Sequence, residues 1–143
     1  LSDSMAPGFQ IHAQWQDPMA FVCGPDHPLA EQPQPRLEHL AAHPALLPDT
    51  NTATYRVVSR LFLEANLHLS LMMPTNYLET IKMMTNVGLG WSVLPVSMVD
   101  DNLRILEVGH PVSRVLGAIG LEGRSLSAAA RALLDIVRQE EGL

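Results

Sequence analysis

Apolar and polar residues along this chain recur at two periods. Over residues 76–87 the spacing is helical, with Leu78, Ile81 and Met84 at i, i+3 and i+6 and with Tyr77 and Val87 widening the stripe. Asn76 stands where a side-chain oxygen caps such a helix, and Glu79, three residues on, completes a capping box. Gly88 can take the left-handed conformation that ends it. Gly90 allows close backbone packing, and Trp91-Ser92-Val93-Leu94-Pro95 reads as a short strand buried on both faces.

The same pattern divides the remainder. Residues 19–24 predict a strand stopped by Pro25-Asp26-His27-Pro28, residues 32–35 a proline-rich loop, and residues 37–42 a short helix ending before Pro44. Residues 45–48 predict a second buried strand. Thr54 is placed to cap a helix running to about residue 66, with Val57, Val58, Leu61, Phe62 and Ala65 on one face. Strands follow over 68–73, 102–107 and 112–121. A last helix over 125–139 aligns Leu126, Ala130, Leu133, Leu134 and Val137. The polar stretch 1–18 reads as a connector. Alternating strands and helices predict an α/β fold, a mostly parallel sheet with helices on both faces. Residues 19–107 already make a complete small lobe. Residues 1–18 and 108–143 are expected to belong to another, for which the chain supplies too few strands.

Composition narrows the classes. At 143 residues, 47% hydrophobic and 17% charged, the chain has the makings of one folded domain or two small lobes. A formal charge of −6, with nine scattered basic residues, argues against this stretch gripping a nucleic-acid backbone. The single cysteine, Cys23, excludes an intrachain disulfide framework and fits a reducing compartment. No apolar run reaches membrane-spanning length, and the first residues lack the order of a signal peptide. The expectation is a cytoplasmic protein without a membrane partner, and a start at Leu1 suggests a piece of a longer one.

Candidate chemistry is sparse. His39 and His43 stand at i, i+4, a metal-ligand spacing, but no intervening Glu and no third ligand accompany them, so no metal is expected. Gly88-Leu89-Gly90 has its helix before and its strand after, the reverse of a dinucleotide fingerprint, and Val93 stands where a third glycine belongs. Cys23 lies in an apolar strand, where a thiol is inert. No catalytic residue and no cofactor is expected. Two polar loops remain, 49–54 after one strand and 75–76 after another. At strand carboxyl ends that open helices, backbone N–H groups converge on one crevice, and Asp49, Thr50, Asn51 and Thr52 exceed what capping needs. These loops are candidate ligand contacts.

Three stretches in this order carry a resemblance: WQDPMAFVCGPDHPLA (residues 15–30), LEHLAAHPALLP (37–48) and NYLETIKMMTNVGLGWSVLP (76–95). Together they closely resemble the regulatory domain of LysR-type transcriptional regulators. The resemblance covers almost the whole chain. It implies a two-lobe, periplasmic-binding-protein-like fold, hinged by two crossover strands, with a small-molecule effector held between the lobes. Residues 19–107 then form lobe two, residues 1–18 part of lobe one and the first crossover, and residues 108–143 the second crossover and the return. Carried over by position, the effector contacts fall on Pro48, Asp49, Thr50, Thr52, Thr75 and Asn76, with Trp15 at a hinge position facing either the cleft or hinge packing. Asp49 departs from what an anion pocket wants; it could favour a cationic or amino-acid effector, or face water. The family's regulatory domains pair as homodimers, residues 54–66 and 68–73 resembling half of that interface, and a homotetramer is open for the full-length protein. DNA is contacted only through a winged helix-turn-helix not in this chain. The rival is an extracytoplasmic solute-binding protein of the same architecture; an enzyme is a distant third.

Overall fold

The computed structural model of the protein describes residues 5–143, so the first four residues of the expected connector lie outside it. The chain divides into two compact units, Pro18–Arg114, and Leu1–Asp17 with Val115–Leu143.

The larger unit is built on the second half of β1 (Phe9–Cys23). β2 (Ser92–Pro95) pairs with it antiparallel, Met19 opposite Pro95 and Val22 opposite Ser92. On its other edge β3 (Arg104–Ile105) also runs antiparallel, Val22 opposite Ile105. Parallel pairing is confined to bridges from Ala45 to Leu71 and to Trp91. The expected mostly parallel sheet is therefore corrected to a mixed one. Apolar runs reveal strands but not their direction, and β1 enters against the direction of its neighbours. The predicted strands at 45–48 and 68–73 reduce to these bridges, held by Ala45 N–H on Ser70 O at 2.7 Å and Met72 N–H on Ala45 O at 2.9 Å.

Strand alternation sends side chains to two faces. Phe21, Cys23 and Val93 enter one core with Leu40, Val58, Phe62 and Trp91, beneath α1 (Leu37–Ala41) and α2 (Ala53–Glu64). Ala20, Val22 and Leu94 enter the other with Leu46, Ile81 and Met84, beneath α3 (Leu78–Asn86). Helices do cover both faces. Trp91 is wholly buried; its ring stacks on Phe62 with centroids 5.6 Å apart, and its indole N–H donates to Leu40 O at 2.8 Å. Such a side chain contributes about 1.5–3 kcal/mol through burial alone, and the bond removes the cost of a buried donor. At Gly90 a Cβ would collide with the Pro44 carbonyl oxygen, so the close approach expected there is real. Gly88 takes φ +86° after the last turn of α3, as a helix-stopping glycine does.

Three local expectations are corrected. α3 starts at Leu78 behind Tyr77, and Asn76 neither caps it nor shares a capping box with Glu79. Tyr77 and Val87 are exposed, so the buried stripe narrows to Ile81 and Met84 with Leu78 at its edge. α2 is capped by Thr52, whose hydroxyl accepts the Tyr55 N–H at 3.3 Å, whereas Thr54 is buried in the first turn.

In the smaller unit β4 (Val112–Leu121) pairs with β1, and the Glu122 N–H donates to Gly8 O at 2.9 Å. The stretch read as a connector is thus largely strand from Phe9 onward; its polar residues obscured the alternation. α4 (Ala128–Glu140) is capped by Ser127, which accepts the Ala130 N–H at 3.1 Å. It buries Leu134 but leaves Leu133 exposed, against the expected stripe, and Ile136 with it. The ring of His12 lies against Gly120, where a Cβ would meet Nε2 at 2.7 Å, and that nitrogen is buried without a hydrogen-bond partner among the described residues.

Candidate functional site

The two polar loops singled out in the sequence meet in the larger unit. Pro48 is buried and ends the apolar run from Ala45. Beyond it the chain turns outward, and Asp49 is joined to Asn76 by two bonds. The Asp49 N–H donates to Asn76 Oδ1 at 3.0 Å, and Asn76 Nδ2 donates to Asp49 Oδ2 at 2.8 Å. The pair fixes the amide's orientation, because a flipped Asn76 would set a donor against the Asp49 N–H. This bond explains the missing cap on α3. The oxygen that would have capped the helix is taken by a loop 27 residues away in sequence, and Thr75 takes the nearby role, its hydroxyl oxygen accepting the Tyr77 N–H at 3.4 Å.

The other threonines divide by use. Thr52 donates its hydroxyl proton to Asp49 O at 2.7 Å and accepts from Tyr55, so its hydroxyl is committed to turning the chain into α2. Thr50 is exposed, and its side chain has no partner among the described residues. Thr75 keeps its hydroxyl proton free of any such bond. Arg56 was not singled out in the sequence; its guanidinium reaches back from α2 to Asn51 O at 3.0 Å and braces the loop. An arginine one turn inside a predicted helix after a polar loop is the signal for such a brace. Trp15 lies half-buried in the smaller unit, and the loops in the larger.

Other candidates resolve into structure. His39 Nδ1 accepts the Arg36 N–H at 3.0 Å and helps start α1. The His43 ring meets that of His27 edge-on at 4.9 Å. His27 is buried, and its Nδ1 accepts the Leu29 N–H at 3.1 Å. Burial, then the neighbouring His43, holds its pKa below the ordinary value. Burial pushes the Cys23 thiol up to about 11, against a smaller downward pull from Arg104, which leaves it protonated and unreactive at neutral pH. Among the described residues no three His, Cys, Asp or Glu side chains gather as a metal site, and no helix is long and apolar enough to cross a membrane. A cavity of about 400 Å³ lies elsewhere in the larger unit, walled by Met19, Phe21, Val96, Leu106, Val108 and His110. It shares no residue with the loop set.

The chain is similar to known proteins over most of its length. The family model described as LysR substrate binding domain matches residues 2–142. The HTH-type transcriptional activator CmpR of Synechocystis sp. (strain ATCC 27184 / PCC 6803 / Kazusa) is 26% identical over 84% of this chain and 41% of its own length. The Synechocystis PCC6803 CcmR regulatory domain, solved in complex with 2-PG, superposes with a TM-score of 0.72 at 24% identity, over 93% of this chain and 66% of that one. The effector binding domain of QuiR, solved with shikimate, gives 0.77 at 18% identity, over 97% and 68%. These structures show the fold, that of periplasmic-binding-protein-like effector domains. The chain spans less than half of the curated relatives it matches, 41% and 45% for two of them. With the family model matching nearly end to end, the chain belongs to the LysR substrate-binding domain family.

Proposed function

We propose that this chain is the effector-sensing part of a bacterial LysR-type transcriptional regulator, with the loops 48–52 and 75–76 as its contribution to the effector site. The observation that carries the placement is the paired Asp49–Asn76 contact. It draws together two loops 27 residues apart in sequence and leaves the Thr50 hydroxyl and the Thr75 hydroxyl proton free to bond a ligand. Pro48, Asp49, Thr52 and Asn76 shape that surface. The reading is supported by related domains solved with small molecules, 2-PG in one and shikimate in another.

In this reading residues 19–107 are lobe two, and residues 1–18 and 108–143 are the crossovers and part of lobe one. The exposed Leu133 and Ile136, with a His12 Nε2 that has no partner among the described residues, support a lobe completed by further chain. The protein acts in the cytoplasm as a homodimer and is not an enzyme. Its DNA contacts belong to a separate winged helix-turn-helix. Effector binding shifts the population between two arrangements of the regulator, and only a compound that binds them unequally can do so.

A reporter driven by the regulated promoter tests the placement. Thr50→Val and Thr75→Val each remove a hydroxyl while keeping shape. Both variants are expected to raise the effector concentration for half-maximal response about fivefold or more, the loss of about one hydrogen bond, at nearly unchanged melting temperature. Normal responses in both would show the site to be elsewhere.

A further inference from the structure

We propose that Asp49 determines which effector this regulator accepts: its carboxylate receives a protonated amine, so the effector is a small amine-bearing compound of the α-amino acid type. The inference rests on the reading that the 48–52 loop lines the effector site, and it adds the chemical class of the ligand. Asp49 is half-buried, and one carboxylate oxygen, Oδ2, accepts from Asn76 at 2.8 Å. An amide donor orients a carboxylate without cancelling its charge, and the second oxygen has no partner among the described residues. The cation that reaches this loop, Arg56, gives an N–H to Asn51 O and forms no ion pair with Asp49. The loop therefore presents a fixed negative charge with one open acceptor. Arg56, braced to the same loop through Asn51 O, has further guanidinium N–H groups, and Thr50 has a free hydroxyl; both chemistries suit a carboxylate.

A carboxylate acceptor and a cation braced to the same loop match a zwitterion. An anion without an amine would meet the Asp49 carboxylate unscreened and bind less well, as like-charge juxtaposition disfavours it. The companion role of Asn76 is positional. Its two bonds hold the carboxylate in one direction, so the amine finds a preformed acceptor and no side chain has to be ordered on binding.

The test uses the full-length protein and matched probe pairs, each an L-α-amino acid against the 2-oxo acid with the same carbon skeleton. Thermal shift finds the binding pair, and calorimetry measures its affinity. The expected result is that an amino acid raises the melting temperature while its 2-oxo counterpart does not. Asp49→Asn is expected to weaken that amino acid about tenfold or more, the worth of a charge-assisted bond. The amide oxygen introduced by this substitution can still accept from Asn76, so the variant keeps the loop folded; an unchanged melting temperature without ligand verifies this. If a 2-oxo acid binds as well as its amino acid, or no amino acid binds, the inference is overturned. If Asp49→Asn leaves amino-acid affinity intact while Thr50→Val reduces it, the site stands and the role of Asp49 falls. If neither variant changes the affinity, the site reading falls with it.

Discussion

His27 shows how much one residue of a loose motif can carry. Proline on either side makes the segment 25–28 a turn, and the sequence offered no geometry for the histidine between them. In the fold it is buried, its Nδ1 caps the short turn Pro28–Glu31 by accepting from Leu29, and its ring abuts His43. Protonating Nδ1 would remove that acceptor and set two imidazoles against each other. Burial and His43 both lower its pKa from 6.5, so between that value and the lower folded one the native state binds fewer protons than the unfolded chain. Stability from this residue is fully present above about pH 6.5 and is lost as pH falls through the folded value. Urea midpoints measured from pH 7.5 downward are expected to decline through this window. His27→Gln, which keeps an acceptor but cannot take the proton, is expected to flatten that decline. An equal decline in the variant would assign the acid sensitivity to other groups.

At the scale of elements, the apolar pattern was legible where packing set it and misleading where side-chain bonds did. Ile81, Met84, Val58 and Phe62 are buried as their spacing required, and Ser92–Pro95 is buried throughout. Helix starts were read less well. Any threonine or asparagine before an apolar run looks like a cap, yet Thr54 is drawn into the core and Asn76 is drawn to Asp49. Competition from residues distant in sequence decides such cases, and local reading does not contain it. The consequence can be measured. Thr52→Ala removes the α2 cap and is expected to cost about 1 kcal/mol of stability, within the usual range for caps. Asn76→Ala removes no cap and is expected to cost less while loosening the loop at Asp49. Urea unfolding of both variants, with amide exchange over residues 49–52, separates the two roles.

For the whole molecule, the sequence carried the class, the family and the polar loops, because these follow from the order of apolar runs and a few motifs. It did not carry strand direction. β1 lies antiparallel to β2 and to β3, which no periodicity encodes. Nor did it reveal the cavity walled by Met19, Phe21, Val96 and Val108, whose lining comes from segments far apart in sequence. That cavity is the structural competitor to the polar loops as an effector site. It is largely apolar, with His110 and Glu107 among its polar side chains, whereas the loops present oriented donors and an acceptor of the kind that fixes a small polar ligand. The decisive measurement is hydrogen exchange on the full-length regulator with and without the compound that triggers its promoter. Added protection is expected at the amides of residues 49–56 and 75–77. Protection confined to residues 105–111, with those loops unchanged, would contradict it.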